Sequence, residues 1–233
     1  MPRRQRPNYA TPFDALGSYA QIPGISDEEL RRMKAHYYAL CTMLDDQIGK
    51  LLATVKDAGI EEETLVIFTS DHGDYLGDHG LIRKGGVMFD NILRVPLIVR
   101  LPGTKGGRVC QGPTQHEDLA PTVLELLGIP VPKGVQGRSL AGMVRGEGGS
   151  PREFAYFEHP NFDGCGISDG RFKLLRYPTC QSWVLVDTRE DPMELTNRVD
   201  SPEAAGAAER LRTGLLTWLA DMPLKKPHRP VAW

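Results

Sequence analysis

Ser70-Asp71-His72-Gly73 is the stretch of this chain whose residue types and spacing suit chemistry best. The aspartate offers a hard oxygen and the histidine an imidazole nitrogen, and both issue from one tight turn. The glycine after them lets the backbone turn without a Cβ penalty. Such a pair supplies half of a typical divalent-cation shell, and the remaining ligands must come from elsewhere. Read by itself, the tetrapeptide also suits a helix-capping aspartate beside a hydrogen-bonded histidine.

The residues that follow extend the pattern. Gly77-Asp78-His79-Gly80 places a second histidine seven positions after the first, and Lys84 opens a glycine-flanked turn, Lys84-Gly85-Gly86. A cation, two imidazoles and a lysine in one polar loop form an anion-recognition set, in which a metal polarises an oxyanion and Lys84 neutralises a second oxygen. A lone loop lysine is ordinarily a solvated charge; its neighbours favour the functional reading here.

The elements that must position these groups are legible on both sides. Ser26-Asp27-Glu28-Glu29 is a capping box. Leu30, Met33, Tyr37, Leu40, Leu44, Ile48, Leu51 and Val55 then recur at helical spacing, predicting one long helix that ends at Gly59. A stripe of that length is expected to lie against something broad, most simply a sheet. Thr64–Thr69 is a continuous β-branched run that suits a strand buried on both faces of a parallel sheet, and Val95–Val99 repeats its character. The glycine-rich residues 70–90 between them read as too polar for core. Asp118–Leu127 reads as a short helix closed by Gly128, with Pro121 in its first turn. Residues 130–152 read as a linker or long surface crossing.

Short strands follow at 154–157, 166–168, 172–176 and 183–187, with an Asp169-Gly170 hairpin signal between two of them. A last helix runs through Leu211, Leu215, Trp218 and Leu219. The expected class is therefore α/β: a partial parallel-type sheet flanked by helices, with a small C-terminal antiparallel α+β subdomain. The expected parts are an irregular lead-in at 1–25, an α/β portion carrying the candidate loop at 26–150, and the subdomain at 151–233. Two convincing strands are too few to cover the long helix, so part of the fold is expected to lie outside these residues.

The 233 residues are 40% hydrophobic and 25% charged, with a formal net charge of −2. That balance argues for neither nucleic acid nor an anionic membrane as partner. The basic cluster Arg3-Arg4-Gln5-Arg6 reads as a solvated tail. Cys41, Cys110, Cys165 and Cys180 show no metal spacing and read as free thiols of a reducing compartment. No apolar leader and no apolar run of about 18 residues is present, so a cytoplasmic location is the expectation for these residues. His36 reads as structural, Trp183 and Trp218 as core, and His159 and Cys165 as candidate lining of a substrate mouth. His116-Glu117-Asp118 has the types of a ligand cluster, though helix capping accounts for it more simply.

Several blocks together resemble the sulfatases of the alkaline-phosphatase-like superfamily. Leu44-Asp45-Asp46-Gln47-Ile48-Gly49, Thr69 through Lys84, Arg94–Val99, Asp118–Thr122, and Asp187 through Glu190-Asp191-Pro192, Glu194 and Asn197 occur in the family's order. The resemblance implies Asp71 and His72 as ligands to a divalent cation, calcium first and magnesium or manganese as alternatives. It implies a sulfate ester as substrate, Lys84 as a contact to the ester oxygens, and His79 as a pocket-lining residue. It also implies a formylglycine nucleophile made within a C/S-x-P-x-R motif, and two further acidic ligands from an N-terminal Asp-Asp.

Neither of those last features is found. No cysteine here is followed by proline and arginine at the required places, and Ser150-Pro151-Arg152 is a partial match in the wrong context. Asp45-Asp46 lies inside the long helix, where adjacent side chains diverge by about 100°. The chain therefore reads as a C-terminal portion of a sulfatase that needs a missing N-terminal half or a partner chain, and is expected to be inactive alone. A phosphate or phosphonate ester hydrolase of the same superfamily and a non-catalytic module remain the alternatives.

Overall fold

A computed structural model of the chain describes residues 5–9, 24–159, 164–178 and 181–222. Most of the expected lead-in, residues 160–163 and Cys180 lie outside the described residues. Helix α1 spans Asp27–Asp57. Its start is the predicted capping box: Ser26 Oγ accepts from Glu29 N, and the Glu29 carboxylate accepts from Ser26 N at 2.8 Å. Asp27, Glu28 and Glu29 in the first turn and Lys56 in the last suit the helix dipole. Gly59, at φ +69°, follows the cap as the sequence predicts.

The apolar stripe of α1 finds no broad partner among the described residues. Leu30 is buried, but Met33, Tyr37, Leu40, Leu44 and Leu51 are exposed. The reason is the small amount of sheet available. Strand β1, Val66–Thr69, pairs only with β2, Leu97–Arg100. That pair is antiparallel, with Val66 opposite Arg100 and Thr69 opposite Leu97, which corrects the parallel expectation. A parallel return needs a crossover element lying over the sheet. Between these strands the chain makes a 3-10 turn, Asp78–Gly80, and the single-turn helix α2, Asp90–Leu93, neither long enough to serve as a crossover, and so doubles back.

Helix α3, Leu119–Leu126, is shorter than the predicted run because its first turn, His116–Asp118, is a 3-10 turn. Residues 130–152 are not a bare crossing. They contain α4, Ala141–Arg145, with Leu140, Ala141 and Met143 buried. Arg152 is also buried, its guanidinium paired with Asp118 and Glu117. The proline and glycine content that suggested a linker instead bends the chain back onto α3.

The C-terminal sheet is a meander in the order β3-β4-β5-β6: Ala155–His159, Gly164–Ser168, Phe172–Tyr177 and Ser182–Asp187. Successive residues on a strand face opposite sides, and here both sides are core. Ile167, Leu174 and Leu185 pack against Ala208, Leu211 and Leu215 of α5, Ala205–Asp221. Trp183 and Trp218 lie partly buried on that cluster. Leu175, Tyr177, Val184 and Val186 face the other way and pack against Tyr75, Leu81, Val87, Met88 and Phe89.

Those last five belong to the segment that read as too polar for core. Its aromatic and aliphatic residues are spaced irregularly, so no period reveals them, yet they form the inner layer of the second cluster. Met88 N donates to Tyr177 Oη at 3.1 Å, and Tyr75 Oη donates to Val87 O at 2.8 Å. The candidate loop is thus mounted on the C-terminal sheet. Among the described residues no helix is long and apolar enough to cross a membrane.

Candidate metal and oxyanion site

The end of β1 delivers Ser70-Asp71-His72-Gly73 into a tight, internally bonded turn. Ser70 Oγ donates to His72 O at 2.9 Å, and His72 N donates to Asp71 Oδ1 at 2.9 Å. Gly73 is obligatory for steric reasons: a Cβ there would lie 1.9 Å from the carbonyl oxygen of Asn91. Its N–H donates to Ile92 O at 2.9 Å, so the turn is pinned to α2.

Lys84 is returned to this turn by the loop that follows. Tyr75 N donates to Arg83 O and Gly77 N to Leu81 O, closing the loop on itself. Leu76, His79 and Arg83 all sit at positive φ, a conformation that side chains other than glycine rarely adopt. Three such residues in so short a stretch mean that the surrounding packing over-determines the backbone. Burial of Tyr75, Leu81, Val87 and Phe89 supplies that packing.

The result is a pair. Lys84 Nζ lies 2.8 Å from His72 Nε2, and Asp71 Oδ2 lies 3.5 Å from the same nitrogen. His72 Nδ1 is 2.8 Å from Gly73 O, which can only accept, so Nδ1 carries the proton in the neutral ring. Nε2 is left with its lone pair facing Lys84 and Asp71. An imidazole anchored by one nitrogen on a backbone carbonyl, with the other exposed beside a carboxylate, is the usual setting of a metal-ligating histidine. Asp71 is open, its side chain 82% exposed, and that of His72 is 35% exposed. The His72 N–H is the main cause holding the Asp71 carboxyl below its ordinary value; the His72 ring and Lys84 act the same way. It is an ionised oxygen donor at neutral pH.

These residues fit a divalent cation but do not complete its shell. Among the described residues no group of three or more His, Cys, Asp or Glu side chains is placed to hold a metal. Asp71 and His72 offer two donor atoms of the right types, with the Lys84 ammonium beside them.

His79 is placed elsewhere. It is buried, stacked on Phe89 with ring centroids 3.8 Å apart. Its other neighbours are the Gln5 backbone and the charges of Asp78, Lys173 and Asp191. The structure brings Asp71, His72 and Lys84 together and buries His79 against Phe89.

Sequence reasoning passed over His116 as a separate residue. Its Nε2 donates to Ser70 O at 2.8 Å, holding the residue before Asp71 from the side of α3. Forty-six positions separate the two, and no sequence spacing signals the contact. Asp118 is structural: its carboxylate accepts from Gln115 N and Arg138 N and pairs with Arg152. Cys165 is half-buried and burial pushes its thiol up, away from the thiolate a nucleophile needs. His36 is exposed on α1. A cavity of about 840 Å³ lies beside β2, lined by residues including Leu97, Val99, Val109, Leu140 and Met143, and not by the Asp71–Lys84 group.

Comparison with known proteins gives two family matches. The family profile described as "Sulfatase" matches residues 2–129, and that described as "N-sulphoglucosamine sulphohydrolase, C-terminal" matches residues 77–220. An arylsulfatase from Clostridium perfringens is 32% identical over 198 residues, covering 82% of this chain and 41% of that protein. The solved phosphonate monoester hydrolase of Agrobacterium radiobacter superposes with a TM-score of 0.73 at 32% identity, covering 84% of this chain and 42% of that one. A further structure, described as bound to its substrate D-glucosamine-2-N,6-O-disulfate, gives a TM-score of 0.69 at 32% identity, covering 76% of this chain and 38% of that one. The chain spans about 40% of the length of the curated relatives it matches.

Proposed function

The chain belongs to the sulfatase family, and from that premise we propose that it supplies the cation-binding and anion-neutralising side of a sulfuric ester hydrolase. The observation that carries this reading is the His72 Nε2 lone pair, held between Asp71 Oδ2 and Lys84 Nζ. Asp71 and His72 are the ligands to a divalent cation, calcium first, with magnesium or manganese as alternatives. When bound, the cation supplies Lewis-acid polarisation of an ester oxygen. Gly73 O keeps the neutral imidazole's proton on Nδ1, so the Nε2 lone pair faces the cation's place. Lys84 donates hydrogen bonds to a second oxygen of the ester and offsets its charge. His79 contributes by packing the loop on Phe89.

The nucleophile in this reading comes from sequence outside these residues, as an earlier part of the same polypeptide or a partner chain. The exposed stripe of α1 is a surface such a half would cover. A second reading, a phosphate or phosphonate ester as substrate, is favoured by the likeness to the phosphonate monoester hydrolase. Sulfate and phosphate are tetrahedral oxyanions of similar size, and Asp71, His72 and Lys84 do not separate them.

The test is calcium binding by calorimetry together with turnover of a chromogenic aryl sulfate, beside aryl phosphate and phosphonate controls. The purified chain is expected to bind calcium through Asp71 and to turn over none of the three alone. Calcium affinity that survives Asp71→Ala would overturn the site. Turnover that disappears in both Asp71→Ala and Lys84→Ala would show a nucleophile within these residues.

A further inference from the structure

One buried charged group serves neither the fold's apolar logic nor the proposed chemistry directly. Lys173, on β5, occupies the strand face whose other members, Leu175 and Tyr177, are core. Its side chain is 1% exposed, and its ammonium pairs with Glu194 and lies 2.7 Å from Asp90 Oδ1. Glu194 is equally buried, and its Oε2 accepts from Asp90 N at 2.6 Å. Glu194 also sits at φ +54°, a strained backbone for a residue with a long side chain. A leucine at position 173 would fill the same face without desolvating charge, since apolar replacement of a buried ion pair is often neutral or stabilising.

What the group does is fix Asp90, the first residue of α2. Both the side chain and the amide of Asp90 are held from the C-terminal subdomain, more than eighty positions away. From Asp90 the connection to the candidate site is short and continuous. Ile92 O, within α2, accepts from Gly73 N at 2.9 Å, and Asn91 O lies where any Gly73 side chain would have to go. Gly73 O in turn accepts from His72 Nδ1 at 2.8 Å and sets the direction of the ring.

We infer that Lys173 and Glu194 are positioning residues: by holding Asp90 they fix α2, and α2 fixes the Gly73 peptide that aims His72 Nε2. The inference rests on the proposed role of Asp71 and His72 as cation ligands. The C-terminal subdomain is then part of the site's support, and the charge is kept because an apolar contact would not specify the register of α2.

The experiment uses the whole chain carrying Lys173→Met with Glu194→Leu, which removes the ion pair without leaving either charge unpaired. Two quantities are read at fixed pH. The first is hydrogen exchange of the Gly73 amide, with the Leu185 amide, bonded to Asn197 Oδ1, as the folded control. The second is calcium affinity. The expected result is Gly73 exchange at least about tenfold faster and calcium affinity about tenfold weaker, the lower end of losses seen on removing outer-shell support, with Leu185 exchange unchanged. Asp90→Ala alone removes the carboxylate that Lys173 holds and leaves the Lys173–Glu194 pair in place; it is expected to speed Gly73 exchange in the same direction, so it decides the question if the double variant does not fold. Unchanged Gly73 exchange, or faster exchange with undiminished calcium affinity, overturns the positioning role. If the unaltered chain binds no calcium, or Asp71→Ala does not weaken it, the proposed function fails, and Gly73 exchange still decides this inference.

Discussion

His72 Nε2 and Lys84 Nζ lie 2.8 Å apart, so the lone pair that would ligate a cation accepts a hydrogen bond from the lysine ammonium. The two groups are twelve positions apart and meet because the intervening loop is closed on itself and seated on the C-terminal sheet. Lys84 would thus compete with a cation for Nε2, and once released from it would be free to neutralise an anionic ligand beside Asp71 and His72.

Lys84→Ala is therefore expected to act in opposite directions on two ligands. Calcium affinity of the free chain should rise a few-fold, because nothing competes for Nε2, while affinity for inorganic sulfate in the presence of calcium should fall. Paired calorimetric titrations check this; calcium affinity that falls in the variant would mean that Lys84 does not occupy the ligand's place.

Asp71→Ala should abolish calcium binding while leaving folding stability within about 0.5 kcal/mol, because the Asp71 side chain is largely in solvent. Calorimetry and urea denaturation on the same preparation separate the two effects. A large stability loss would show that the Asp71 Oδ1 bond to His72 N holds the turn rather than merely shaping it.

Burial holds the His79 imidazole below its ordinary value, so the folded chain keeps it neutral where the unfolded chain protonates it. The unfolded state then binds more protons below about pH 6.5, and stability must rise with pH there. Its contribution is fully present above that value and is lost as pH falls, with a slope approaching about 1.4 kcal/mol per pH unit. Urea midpoints between pH 7.5 and 5 should show this slope in the unaltered chain and a flatter one in His79→Asn, which tolerates the left-handed backbone. Equal slopes would assign the dependence to another group.

Arg152→Met leaves the buried Asp118 carboxylate without its guanidinium and should cost about 3–5 kcal/mol. Adding Asp118→Asn should recover part of that loss, since the amide oxygen can still accept from Gln115 N or Arg138 N. Chemical denaturation of both variants is the check, and no recovery in the double variant would place the cost in lost packing of the arginine stem instead.

The sequence was most informative where a local rule and the structure share one cause. The capping box at Ser26 and Glu29 is a contact between residues three apart, so its spelling determines it. The alternation along β5 and β6 likewise follows from strand geometry, and it leaves Leu174 facing α5 and Leu175 facing the loop. Asp71, His72 and Lys84 were legible as chemistry because their types are unusual together in one loop after a β-branched strand. The family resemblance placed them in order.

Other features depended on partners that local spacing does not reveal. His79 has the residue type of a site group, but Phe89 stacks on it and takes it into the core. Lys173 carries no sequence signal of its role until Asp90 and Glu194 are brought to it from the rest of the chain. The direction of pairing between β1 and β2 was decided by the lack of a crossover helix, which leaves an antiparallel return. Residue types and short-range periods thus determined which groups could do chemistry and which segments form helices and strands. Only the tertiary structure decided which of those groups meet, because the contacts that aim His72 join Gly73 to Ile92, and Asp90 to Lys173 and Glu194, across separations that no local pattern encodes.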